Sequence, residues 1–177
     1  PILITFDDGN LDNYTTAFPI MQRYGFTGIL YIVGNYIGAP GYMNVNQIKE
    51  MARTGWEVGS HGMSHPDLIA PGPQLLNYEI VESRIFLEKE LNLPILSFAY
   101  PFGASNQGIN DKVYMAGYIA GMSIGSTPDQ NKNDLFILNR LAVNGRHVLN
   151  QFASFLPWYG DPIFLPTDTP TPTPVSK

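Results

Sequence analysis

A chain of 177 residues with 44% apolar side chains has material for one domain with a sizeable core and too little for two. Its net charge of -5 and the scatter of its 10 Lys and Arg leave no basic patch, which argues against nucleic acid or an anionic membrane surface as partner. Cysteine is absent, so disulfides and thiolate chemistry are excluded, and any metal has to be held by His and carboxylate.

The first apolar run, Ile2-Leu3-Ile4, predicts a buried strand that ends at Thr5-Phe6-Asp7-Asp8-Gly9. Taken alone, the two carboxylates read equally as a solvated turn in which Asp8 or Asn10 caps the next helix. Tyr14, Ala17, Phe18 and Met21 recur at helical spacing as far as Gly25, with Pro19 placed in a first turn. Gly28 to Gly34 predicts a second buried strand, followed by a glycine-rich loop to Tyr42 that fits no phosphate-binding pattern. Asn44 and Gln47 form a capping box for a helix whose Val45, Ile48, Met51 and Ala52 share one face. A third short strand, Trp56 to Gly59, leads directly into Ser60-His61-Gly62-Met63-Ser64-His65-Pro66.

Leu76, Ile80, Leu87 and Leu91 predict a long amphipathic helix from Gln74 to Leu91 with its charges on the opposite face. The fourth strand, Ile95 to Tyr100, ends in the abrupt turn Pro101-Phe102-Gly103. Asn110 is expected to cap a short helix to Ala116, before a fifth strand from Tyr118 to Ser123. Phe136 to Arg140 suggests a sixth strand, Val148 to Leu156 a last helix beginning near Gly145, and Pro162 to Leu165 a seventh strand. Strands and helices alternating at this pitch imply parallel βαβ units, in an open sheet or a barrel.

The polar groups that come after the strands stand out. Asp7 and Asp8 follow the first, His61 and His65 the third, and Pro101-Phe102-Gly103 the fourth, so in a parallel sheet they share one rim. One Asp and two His leave positions open on a divalent ion, as a catalytic rather than structural site requires, and the second Asp is left over as a general base. Charged residues amount to 14%, well below the usual ~25%, and a surface of uncharged polar and aromatic groups suits a neutral, hydroxyl-rich ligand such as a sugar chain.

Thr5-Phe6-Asp7-Asp8-Gly9 and Glu57 to Leu68 resemble the first two motifs of the polysaccharide deacetylases of the NodB-homology type, carbohydrate esterase family 4. The resemblance runs from Pro1 to about Leu156. It implies an α/β fold, a distorted (β/α) barrel with about six to seven parallel strands, over residues 1–165. It also implies that Asp8, His61 and His65 hold a metal, most commonly Zn2+, and that Asp7 is the base that activates water. The expected reaction is hydrolysis of acetyl groups from an N-acetylated, N-acetylglucosamine-type polysaccharide, an attack on a linear amide bond. The backbone N–H of Phe102 would complete an oxyanion hole, and Tyr100, Pro101 and Phe102 are the expected substrate contacts.

Three departures qualify the resemblance. The family places an Arg two residues before the Pro of its third motif, where this chain has Ala99, a spelling closer to the subgroup acting on poly-N-acetylglucosamine; Arg140 is the candidate to orient Asp7 instead. The Asp-x-x-Asp-Trp motif is missing, since Asp129 and Asp134 are wrongly spaced. The His that serves as general acid is also missing, and His147, the remaining histidine, precedes a helical run. Two other readings therefore stand beside the deacetylase, an esterase for O-acetylated xylan and a glycan-binding module without turnover. Asn13-Tyr14-Thr15 matches the N-glycosylation pattern beside the expected site and is read as a chance match.

The Thr/Pro tract of residues 166–177 is expected to be a disordered linker of the kind that joins surface modules, and Pro1 suggests a start after a removed leader. An extracellular or cell-surface monomer is expected, with no membrane insertion, because no apolar run approaches ~20 residues.

Overall fold

The computed structural model describes residues 2–70, 72–127 and 129–156. Its centre is one sheet of five parallel strands in chain order, β1 Thr5–Phe6, β2 Ile29–Ile32, β3 Glu57–Ser60, β4 Ser97–Ala99 and β5 Ala120–Met122. Helices α1 Phe18–Arg23, α2 Val45–Arg53, α3 Pro73–Asn77, α4 Ser83–Leu91 and α5 Gln107–Met115 lie between the strands in sequence, and α6 Leu149–Ser154 follows the last. Each strand pairing with the next in sequence is the progression of a (β/α) barrel.

Alternation along the strands divides the interior in two. Leu30 and Ile32 of β2, Val58 of β3 and Phe98 of β4 face the helices and join Ile48, Met51, Ile80, Leu87 and Leu91 in the main core. Ile29 and Tyr31 face the other way, into a small cluster with Ala99 and Met122 that Ala120 and Leu138 cover. Space inside this second layer is tight: a Cβ on Gly59 would collide with the Tyr31 ring and lie 2.9 Å from the Ser97 carbonyl oxygen. Tyr31 can enter only because β3 has no side chain there.

Several predicted elements take a different form. Ile2 and Leu3 are 59% and 60% exposed, since β1 is an edge strand, hydrogen bonded to β2 alone among the described residues. The sixth strand is reduced to a parallel bridge between Met122 and Leu138, with Arg140 O accepting from Gly125 N at 3.0 Å further along. The expected seventh strand and the Thr/Pro tract lie outside the described residues. Asn106, not Asn110, caps α5, its side chain accepting from Ile109 N at 3.1 Å. The Asn44–Gln47 capping box forms as expected. The last helix starts at Leu149 rather than near Gly145.

The long helix predicted from Gln74 to Leu91 is continuous but contains a π-helical turn at Tyr78–Glu82. A π turn inserts one extra residue and rotates the later residues relative to a regular helix. Ile80, Leu87 and Leu91 are buried as the periodicity predicts, yet Glu79, expected on the charged face, is buried completely. A second π turn, Asn13–Ala17, precedes α1, whose first turn contains Pro19. It buries Asn13, which accords with a chance match to the glycosylation pattern.

Candidate active site

The turns after β1, β3 and β4 meet on one rim, and each departs from ordinary backbone. Asp8, His65 and Phe102 have φ of 70°, 60° and 59°, a left-handed conformation that costs a residue with a Cβ about 1–2 kcal/mol. The neighbouring glycines Gly9, Gly62 and Gly103 are left-handed too, at 81°, 84° and 69°. Among the described residues, three of the four non-glycine positions of this kind belong to the site, and strain of this sort persists only where the surroundings impose it. The loop after β2 ties the first two turns together. Met43 N donates to Gly9 O at 2.9 Å, Gly34 N to Gly62 O at 3.0 Å and Asn35 N to Met63 O at 2.9 Å.

Asp8, His61 and His65 converge. Each offers one ligand atom, and these atoms lie within 4.8 Å of one another. His65 Nε2 is 3.5 Å and His61 Nε2 3.7 Å from Asp8 Oδ1. Tetrahedral ligands about 2.1 Å from a zinc ion stand roughly 3.4 Å apart, so the spacing fits such an ion. His61 Nδ1 lies 2.7 Å from the Ala99 carbonyl oxygen, which fixes the ring and leaves Nε2 for the ion. The edge of His65 meets the rings of His61 and Phe102, each at 4.7 Å between centroids.

Burial lowers the His61 pKa below the ordinary imidazole value, with the charge of Asp7 opposing the shift. Its neutral form is the one that binds metal. Below about pH 6.5 the unfolded chain takes up a proton that folded His61 resists, so this contribution to stability is present above that pH and lost as pH falls. In urea unfolding of the metal-free protein between about pH 5 and 8, His61→Gln is expected to flatten the acid-side slope. Parallel profiles for the two proteins would contradict the assignment.

Asp7 stands beside this cluster, its Oδ2 3.7 Å from His61 Nε2. Arg140 grips it with two parallel bonds, Nη1 to Oδ1 at 2.6 Å and Nη2 to Oδ2 at 2.9 Å. The guanidinium also donates to Thr5 Oγ1 at 3.2 Å and from Nε to Ser123 O at 3.1 Å, and it lies 5.4 Å above the Tyr31 ring. Ala99 faces the same inner layer.

Of the three expected substrate contacts, Tyr100 and Pro101 are buried. Tyr100 donates its hydroxyl to Phe136 O at 2.7 Å and packs on Phe98, so its side chain holds the turn. Phe102 is 66% exposed at the rim. His147 packs on Phe155 and turns back to Asn144. Sequence reasoning overlooked Glu79, whose only signal is an acidic residue one position before Ile80 in an apolar stripe.

The profile of the polysaccharide deacetylase family matches residues 1–121. The chain belongs to the polysaccharide deacetylase family. It is 29% identical over 143 residues to YxkH of Bacillus subtilis, covering 81% of this chain and 51% of that protein. To the poly-beta-1,6-N-acetyl-D-glucosamine N-deacetylase of Staphylococcus aureus it is 26% identical over 153 residues, 77% of this chain and 52% of that one. The structure of the deacetylase PplD of Streptococcus pyogenes, in complex with acetate, superposes with a TM-score of 0.81 at 26% identity, covering 86% of this chain and 69% of that one. This polysaccharide deacetylase domain thus spans about half the length of the two relatives matched by sequence.

Proposed function

We infer that this domain is a metal-dependent hydrolase that removes acetyl groups from an N-acetylglucosamine-type polysaccharide. The observation that carries the reading is the Asp7 carboxylate, gripped on both oxygens by Arg140 and set 3.7 Å from His61 Nε2 in the Asp8, His61, His65 cluster. Names borne by relatives from Staphylococcus aureus and Bacillus cereus support the substrate class.

Asp8, His61 and His65 would hold the ion, zinc by the donor set, and a zinc ion there supplies Lewis acidity toward water and a carbonyl. Arg140 fixes the plane of the Asp7 carboxylate, and each oxygen keeps a lone pair for a proton. Asp7 takes that proton from the attacking water as the C–O bond forms. The Phe102 N–H, held in its left-handed turn, is placed to donate to the carbonyl oxygen as it gains charge. Asp7 then hands the proton to the departing nitrogen as the C–N bond breaks, leaving acetic acid and a free amine, and the acid's own proton passes to the amine to give acetate and an ammonium group. His147 is engaged with Asn144 and Phe155, and both transfers are assigned to Asp7. Exposed Phe102 offers a face on which a sugar ring can rest.

The test is acetate release from N-acetylglucosamine oligomers and from acetylated xylan, before chelation, after it and after return of zinc. Release from the oligomers that vanishes on chelation and returns with zinc is expected. Preference for xylan would move the assignment to an O-acetyl esterase, and binding of either glycan without acetate would mark a binding module.

A further inference from the structure

Within the inferred metal site, the five residues from His61 to His65 must present two imidazoles to one ion, and the turn that does so is unfavourable in itself. Its backbone partners can be accounted for. The carbonyls of Gly62 and Met63 accept from Gly34 and Asn35, so one side of the loop is stitched to its neighbour. Its three inner amides go to side chains instead. Gly62 N donates to Ser60 Oγ at 3.2 Å, while Met63 N and Ser64 N both donate to Glu79 Oε2, at 2.7 and 3.0 Å. The Ser64 hydroxyl donates to the other oxygen, Glu79 Oε1, at 2.5 Å.

Glu79 is wholly buried, and both of its oxygens are engaged by this loop. The groups that reach it here are neutral, and a carboxyl out of water is costly without such partners. The fold has made two concessions to it. The π turn at Tyr78–Glu82 carries it inward and is itself tied down, Ser83 Oγ donating to Glu79 O at 2.6 Å and lying 2.9 Å from Ser60 Oγ. Position 62 is glycine, where a Cβ would sit 2.6 Å from Glu79 Oε2. π turns recur at functional sites.

From this arrangement we propose that Glu79 is a positioning residue for the metal site, its carboxylate imposing the left-handed turn that aims His65 at Asp8. The proposal rests on the metal reading given above. Partners one step behind metal ligands set affinity typically by 10-fold to 100-fold.

Zinc affinity of the chelated, refilled protein is measured by competition with a chromophoric chelator, together with the visible spectrum of the cobalt-loaded form and the melting temperature without metal. Glu79→Ala is expected to weaken zinc binding by about 10-fold to 100-fold and to dim the tetrahedral cobalt bands. Glu79→Gln, whose amide can still accept the two N–H groups and donate to Ser64, recovers most of that loss. A lower metal-free melting temperature with zinc affinity within about twofold of wild type and an unchanged cobalt spectrum makes Glu79 merely structural and overturns the proposal. Should Glu79→Ala fail to fold, Ser64→Ala carries the test; it removes one of the three bonds and is expected to weaken zinc binding several-fold, and unchanged affinity overturns the proposal. If the wild type binds no zinc, the metal site and this role fall together, whereas tight wild-type binding with unaltered variants removes the role of Glu79 alone.

Discussion

Asp7→Asn is expected to lower kcat for acetate release by about two to four orders of magnitude, the range a positioned general base contributes. The amide is nearly the same size and can still accept one bond from Arg140, but it has no basic oxygen to take a proton from water. Asp7 is not among the three groups whose ligand atoms cluster, so zinc affinity should stay close to wild type. Asp8→Asn should behave in the opposite way, losing metal first. Measuring zinc affinity and kcat for both variants separates the two neighbouring carboxylates. If Asp7→Asn retains wild-type turnover, the mechanism fails.

Arg140→Ala should cost about a hundredfold in kcat, the scale on which a misplaced catalytic group is felt. Its carboxylate partner would remain, free to turn away from the attacking water. Arg140→Lys should recover little, since a single ammonium cannot match both oxygens at once. The loss should appear in kcat more than in KM, because nothing about Arg140 places it against the bound sugar. Turnover equal to wild type in a folded Arg140→Ala protein would make the bidentate pair a structural feature only.

The sequence carried the site further than it carried the frame. Asp8, His61 and His65 were readable because each comes after an apolar run, and strand ends in a parallel sheet share a rim whatever the details of register. Arg140 emerged from a deficit, an expected guanidinium replaced by Ala99, and its bond to Asp7 crosses 133 residues that no local pattern spans. Glu79 was hidden for a physical reason. Helical periodicity assigns faces by counting, and a π turn adds a residue to the count, so a buried acid looked like part of a charged surface. The sequence could not tell Tyr100 from Phe102, two positions on: the first turns its ring into the core and the second is exposed. The sixth strand shrank to a bridge because the Gln130 side chain takes both the N–H and the carbonyl of Asn139, groups that an extended ladder would have used.

Among the described residues, one side chain reaches from one edge of the sheet to the other. Residues 135–140 run beside β5, and from there Arg140 reaches Thr5 and Asp7 on the opposite edge. Among the described residues this guanidinium spans the gap between the two edges, where a regular barrel would have a row of backbone bonds. A fluctuation that swings this segment outward would open the sheet and set the Asp7 carboxylate loose in the same movement.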